Sequence, residues 1–510
     1  MSVARDVLIK ALANYPQNAA LSLGNSTYSY AELLVNLEDT ITDALSACGH
    51  TGSLGVLADK SLNGYRAVAG ALLSGQTYIP LNVKYPDARN LAILERSGTS
   101  LLVVDAAFEA VAARLNTQLG GVLDILVIDH DEHHTLTSVL HPAERDQRVS
   151  MDPRFDDLAY LLFTSGSTGE PKGVPVSNGN LLAYLDNICT VFEFREDDRF
   201  SQFFDFTFDL SVHDLMVCWQ NGACLCPPTK AGMLMPLHFA KSAQLSVWFS
   251  VPSLALTAKD LLGDKFSEFV LPSLRCSLFC GEALPQTLAQ QWQKIASGPL
   301  INLYGPTEAT IAFTAHEYSD ADTDYSVVPI GKPFGTNQIS LLDAAGNAQP
   351  QAELCLGGDQ VFAGYWMRDD LTEKAFHQRA NQTPWYRSGD VASLRDDAVL
   401  VYHGRADRQV QVGGFRVELQ EVEHVLRNLT DRGELGVIAY PVSDIGEARG
   451  LIAFVRGEAL DTQAIRAACQ QDLPTYMIPS DIVALDELPY NANGKLDYKQ
   501  LYKVAEQRTA

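Results

Sequence analysis

Residues 157–173 read DLAYLLFTSGSTGEPKG, an apolar run of strand length that passes without a break into glycine, serine, threonine and one lysine. A run that is apolar at successive positions has both faces buried, as in a parallel sheet covered by helices on each side. In such open α/β sheets ligands gather outside the carboxyl ends of the strands. The pattern repeats. SLGVLA (53–58), SLLVVD (100–105), LSVWFSVP (245–252), RCSLFCG (275–281) and INLYG (301–305) are further short apolar runs, and the last three end in a Gly or Pro turn. Between them lie helical stretches, and the alternation predicts an α/β layer of parallel strands. The proline-punctuated segment YIPLNVKYPDARN (78–90) is expected to be loop.

At 510 residues the chain exceeds one ordinary core, so two or more domains are expected. From about residue 326 to 401 the text becomes β-rich with frequent turns. Polar and glycine residues interrupt it at YHGRADRQVQVGGFRVE (402–418). Beyond that, LQEVEHVLRNL predicts a helix, and GVIAYPV and GLIAFVRG predict strands. The predicted architecture is α/β: a large N-terminal domain (1–403) of α/β layers with a small β-barrel-like part, then a small mobile α+β domain (404–510).

Apolar residues make up 46% and charged residues 20%, a globular profile. The net charge of −24 argues against non-specific binding to nucleic acid or an anionic membrane. Nine cysteines fall at irregular spacings, and Cys224–Cys226 is a lone C-x-C without the second pair a zinc site needs. Reduced thiols in a cytoplasmic protein are expected. The N-terminus is a short amphipathic helix broken by charge rather than a secretory signal. No apolar run reaches the ~20 residues that span a bilayer, so no membrane insertion is expected.

Glycine lets backbone approach an anion closely, and successive N–H groups can form an anion-binding concavity. Hydroxyls add donors and Lys172 adds positive charge. The spacing is not that of the Walker A loop, because no Ser or Thr follows a Gly-Lys pair. Composition alone leaves two readings open, a solvated surface loop and a phosphate cradle.

The motifs go further. LLFTSGSTGEPKGV resembles the phosphate-loop signature of adenylate-forming enzymes, a family of acyl-CoA ligases, luciferases and amino-acid adenylation domains. GQTYIPLNVKYP (75–86), FDLSVHDL (208–215), NLYGPTEAT (302–310), ELCLGGDQVFAGYW (353–366), YRSGD (386–390), GRADRQVQVGGFRVELQEVE (404–423) and NANGKLDY (491–498) follow in that family's order and cover nearly the whole chain. FDLSVHDL, FCGEALP and YGPTEAT look most like the D-alanine–carrier protein ligases and stand-alone amino-acid adenylation enzymes. The resemblance implies ATP and Mg²⁺ as cofactors. It implies that Thr164, Ser165, Gly166, Thr168, Gly169 and Lys172 hold the β- and γ-phosphates, that Thr307 contacts the α-phosphate and that Glu308 helps bind Mg²⁺. Asp390 would take both ribose hydroxyls, with Arg405 near ribose and phosphate. Tyr304, between Asn302 and Gly305, would stack on adenine, and Gly281, Glu282 and Ala283 would line its other side. Lys495 would reach from the small domain to the substrate carboxylate and α-phosphate, with Asp407 as the hinge. QVGGFRVE carries two glycines where many family members have a bulkier residue before the second.

Asp209 matches the aspartate that, in amino-acid-activating members, binds the substrate α-ammonium group; a helix-capping role is the alternative. A buried carboxylate demands a cationic partner, which a fatty or aryl acid does not offer. Aligned onto the family's pocket, the remaining wall would be Leu210, His213, Phe249, Leu278, Cys280, Leu303, Ile311 and Ala312. This wall is bulky and mostly apolar. It favours glycine or alanine of either enantiomer, with serine, cysteine and proline behind. His213 either hydrogen-bonds a small polar group or only lines the wall. The expected activity is formation of an aminoacyl-AMP and transfer to the phosphopantetheine of a carrier protein acting in trans. An acyl-CoA ligase and a non-catalytic nucleotide-binding member of the fold are the competing readings.

Overall fold

The apolar runs of the first third form a seven-stranded sheet in the computed structural model, in the spatial order Thr135–Leu140, Asp124–His130, Leu101–Asp105, Ser53–Ala58, Thr77–Asn82, Leu158–Thr164 and Lys172–Ser177. Its middle strands pair in parallel. The structure describes residues 2–48, 52–130, 135–140, 155, 157–166, 170–322, 325–377, 384–430, 434–442, 448–457, 460–490 and 496–509.

One expectation is corrected here. Residues 78–90 are a loop only at 83–86: Thr77–Asn82 is a fully buried central strand and Asp87–Ser97 a helix. Proline lacks the ladder N–H, which normally excludes it from such a strand. The strand tolerates Pro80 because its pairing with Leu158–Thr164 is confined to Tyr78↔Tyr160, while on the other side Val56↔Pro80 lies within a continuous parallel ladder.

A second, nine-stranded sheet carries the later runs. Arg199–Ser201, Val247–Ser250, Cys276–Phe279 and Leu300–Tyr304 are successive parallel neighbours in it. The apolar inner faces of both sheets share one hydrophobic cluster that includes Leu8, Tyr65, Leu162, Trp219, Phe249 and Leu303. An antiparallel sheet follows, built from Gln338–Leu342, Gln351–Gly357, Phe376–His377, Trp385–Leu394 and Leu400–Arg405.

The chain divides into two compact units. The first comprises Met1–Val83, Leu94–Phe163 and Gly173–His403; the second comprises Lys84–Ile93, Thr164–Lys172 and Gly404–Ala510. The second has its own core. The helix Leu419–Thr430 buries Leu419, Val422 and Leu426, the spacing of one helical face, against a sheet of Leu435–Ala439, Leu451–Arg456 and Asp481–Leu485. The two glycines of QVGGFRVE form the turn of a hairpin between Gln409–Val412 and Phe415–Glu418. Both Gly413 (φ 57°) and Gly414 (φ 84°) are left-handed, the geometry of a two-residue hairpin turn that side chains resist. Among the described residues no helix is long and apolar enough to cross a membrane.

Candidate active site

In the first unit the expected pocket residues converge from separate elements. Phe249 and Leu278 are register partners on adjacent parallel strands, and Leu278 pairs with Ile301 on the next. Leu210, Phe249, Leu278, Cys280, Leu303, Ile311 and Ala312 all belong to one buried cluster. Asp209 is 7% exposed and opens the helix Asp209–Gln220 as its first helical residue. The N-cap position is Phe208, which makes no side-chain cap bond, so Asp209 is not the helix cap. The turn before it is fixed by Ser211, whose hydroxyl donates to the Phe208 and Phe206 carbonyls.

His213, one turn along the same helix, is fully buried. Its ring lies 4.5 Å from that of Phe249, and its Nδ1 shares a 2.6 Å hydrogen bond with the Tyr184 hydroxyl. Burial pushes its pKa down to about 3, so the imidazole is neutral. Its Nε2 is buried without a hydrogen-bond partner. Burial, followed by the charge of Asp209, raises the Cys280 thiol far above the usual range; the thiol is an apolar wall group rather than a nucleophile.

Two tyrosines that the sequence reading did not place belong to this neighbourhood. The phenols of Tyr160 and Tyr184 are held protonated by burial first and then by surrounding negative groups, Asp209 among them. The Tyr160 hydroxyl is buried without a partner. Its only sequence signal is its place in the strand that runs into the glycine-rich loop.

The motif NLYGPTEAT is a strand end followed by a tight turn. Gly305 approaches the backbone at Ala312 so closely that a Cβ would come within 2.7 Å of its Cα, which excludes any other residue. Tyr304 donates from its hydroxyl to Asp390 Oδ2 at 2.6 Å. The Asn302 side chain donates to the carbonyls of Val328 and Pro329, while its Oδ1 is buried without a partner. Glu282 Oε2 accepts from the Ser253 N–H at 2.8 Å, beside Gly281 and Ala283. Thr307 and Glu308 sit in the one-turn 3₁₀ segment Thr307–Ala309; Glu308 is fully buried and accepts from the Tyr365 hydroxyl at 2.7 Å. The next two residues, Thr310 (φ 57°) and Ile311 (φ 73°), are β-branched yet left-handed. Gln360, fully buried, holds them there by donating to the carbonyls of Ala309, Thr310 and Ala312.

In the second unit the described part of the glycine-rich segment is tied to the hairpin and helix that follow residue 404. The Ser165 hydroxyl donates to the Arg416 carbonyl (2.8 Å), and the Gly166 N–H donates to Glu421 Oε2 (3.1 Å). Lys172 faces Glu418 at 3.8 Å. Glu421 also pairs with Arg89 at 2.7 Å, both side chains under 5% exposed. Burial pulls the Arg89 pKa down, but the Glu421 charge outweighs it and raises the net value. The Thr164 hydroxyl is buried without a partner. Arg405 makes a two-pronged bond to Asp407 at 2.7 and 2.8 Å, and this outweighs burial to hold Asp407 below the ordinary carboxylate range. Lys495, Thr168 and Gly169 lie outside the described residues.

Thus a buried acid among apolar side chains, a tyrosine-held carboxylate and a hydroxyl-rich loop all come from the motifs of one family. The family description AMP-binding enzyme matches residues 8–366, and AMP-binding enzyme C-terminal domain matches 421–495. The chain belongs to this adenylate-forming family and is an AMP-forming ligase that draws on ATP. A D-alanine--D-alanyl carrier protein ligase of Bacillus licheniformis is 33% identical over 449 residues, 84% of this chain and 84% of that protein. The protein of the same name from Bacillus velezensis is 31% identical, over 97% of this chain and 98% of its own. Among solved structures, the Vibrio cholerae adenylation domain AlmE in complex with glycyl-adenosine-5'-phosphate has 32% identity and a TM-score of 0.85, with 99% of this chain and 98% of that one covered.

Proposed function

We propose that this ligase activates a small amino acid, glycine or alanine of either enantiomer first, and hands it to the phosphopantetheine thiol of a separate carrier protein. The observation that carries the reading is Asp209, a carboxylate 7% exposed beside a wall of apolar side chains. A carboxylate in such low-dielectric surroundings is suited to a cation, and the α-ammonium of an amino acid offers one. Phe249, Leu278, Cys280, Ile311 and Ala312 are fully buried, and a wall of such packed, mostly bulky side chains favours a small substrate side chain. The names of the Bacillus relatives, which specify D-alanine, and the glycyl adenylate bound to AlmE support the same substrate range.

In the reaction the substrate carboxylate oxygen bonds to the α-phosphorus of ATP while the bond to the departing pyrophosphate breaks. Anion meets anion, so oriented donors and cations must offset the charge. Thr164, Ser165, Gly166 and Lys172 supply donors and one positive charge for the β- and γ-phosphates; the orphaned Thr164 hydroxyl is suited to an incoming oxygen. Asp390, oriented by Tyr304, takes the ribose hydroxyls. Lys495 contributes the cation at the reacting phosphorus, with Asp407 as hinge for its arrival and departure. Mg²⁺ takes oxygen ligands, commonly one or two carboxylates plus phosphate oxygens, and the Glu308 carboxylate fits that donor set. Among the described residues no cluster of three or more His, Cys, Asp or Glu forms a separate metal cage. When bound, the ion would screen phosphate charge.

ATP–pyrophosphate exchange measured with the twenty amino acids plus D-alanine tests the reading. Exchange driven by glycine or alanine supports it; exchange driven by fatty acids alone, or by nothing in the panel, overturns it. Lys495→Ala is expected to abolish exchange while leaving the melting temperature unchanged.

A further inference from the structure

We propose that Tyr365 is the positioning residue for the carboxylate that receives the divalent ion, acting by fixing one oxygen of Glu308. The inference rests on the reading of Glu308 as an oxygen ligand for the Mg²⁺ that accompanies ATP.

Glu308 lies on a one-turn segment, and a side chain on so short an element owes its orientation to what surrounds it. The segment 358–366 contributes a bond to its backbone and one to its carboxylate. The Phe362 N–H donates to the Glu308 backbone carbonyl at 2.9 Å, and the Tyr365 hydroxyl donates to Oε1 at 2.7 Å. Tyr365 is itself held. Its N–H donates to Thr372 Oγ1 at 2.9 Å, the Thr372 hydroxyl donates onward to the Arg368 carbonyl, and the Phe362 ring meets its ring edge-on at 5.0 Å. A chain of contacts therefore runs from the helix Asp369–Ala375 through Tyr365 to one carboxylate oxygen. Hydrogen-bonded partners behind a metal ligand set its orientation and basicity, and losing one typically weakens metal binding by about 10- to 100-fold. A tyrosine present only to fill space would need no hydroxyl, and phenylalanine would serve as well.

The test compares wild type with Tyr365→Phe, which keeps the ring and its packing. Calorimetry measures binding of adenosine 5'-(α,β-methylene)triphosphate, whose α–β linkage cannot be cleaved, once with Mg²⁺ and once with the metal chelated. The wild type is expected to prefer the Mg²⁺-bound analogue, and Tyr365→Phe should cut that preference about tenfold or more. Affinity for the metal-free analogue and the melting temperature should stay constant. Thr372→Val, which removes the bond to the Tyr365 backbone, should give a smaller cut in the same direction. An unchanged preference in Tyr365→Phe overturns the proposal. So does equal loss of metal-free binding and thermal stability, the mark of a packing role, and so does a wild type indifferent to Mg²⁺. Because the readout is binding, failure of amino-acid-dependent exchange would sink the substrate reading and leave this result standing.

Discussion

In the first unit the carboxylate expected to meet substrate, Asp209, sits beside aromatic and aliphatic side chains, a neutral imidazole and protonated phenols. In the second unit the glycine-rich segment meets acids of its own unit: Gly166 with Glu421, Lys172 with Glu418. The pocket residues are thus fixed in place before any substrate arrives, with unsatisfied atoms such as His213 Nε2 waiting in the wall. Of the donors expected to bind phosphate, Gly166 and Lys172 are instead engaged by carboxylates, which present oxygens much as a phosphate does. On the proposed reading, nucleotide would exchange partners there, whereas the amino acid would have only to fill a space.

Four substitutions would break or sharpen this contrast, beginning with the largest effect. Arg89→Met leaves Glu421 buried without its partner and is expected to cost about 3–5 kcal/mol of stability, read by urea unfolding. The double variant Arg89→Met with Glu421→Leu should recover most of that loss; no recovery would mean the pair is not the source of the cost. Asp209→Asn removes the charge proposed to meet the ammonium. Its KM for the amino acid should rise by about 100-fold or more, an effect of about 3–5 kcal/mol, while the KM for ATP changes little.

His213 gives a pH effect. In the unfolded chain it takes a proton near its ordinary pKa of 6.5, but in the folded protein only near about 3. Its folded-state pKa is depressed, so its neutral burial favours folding above 6.5, and stability falls as pH drops from there toward 3. At pH 5 the loss is about 2 kcal/mol, and His213→Gln should flatten that slope in melting curves taken from pH 7 to pH 5. The smallest change is Thr164→Val, expected to weaken ATP binding by about tenfold through loss of one hydroxyl donor, with the amino-acid KM held constant.

The strands around both sites were legible because parallel strands buried on two faces leave unbroken apolar runs: Ser53–Ala58, Leu101–Asp105, Val247–Ser250 and Cys276–Phe279 all lie within runs read from the sequence. Thr77–Asn82 was missed because Pro80 mimics a loop signal, and what lets it stay is incomplete pairing on one side, which composition does not encode. Motif residues announced themselves, but the groups behind them did not. Gln360 grips three carbonyls some 50 positions upstream, and Tyr184 meets His213 from 29 residues away. Glu421 reaches Gly166 across 255 residues. Such partners are neighbours only after folding, and no periodicity marks them.

The left-handed pair Thr310–Ile311 has one more consequence. Each such residue stores about 1–3 kcal/mol, yet Ile311 is also fully buried and part of the proposed substrate wall. Glycine at 311 would relax the chain and hollow out the cavity in one step. Selection for a sturdier protein and selection for a choosier one therefore pull this single position in opposite directions, and Gln360, by clamping the turn, is what lets the choosier residue persist.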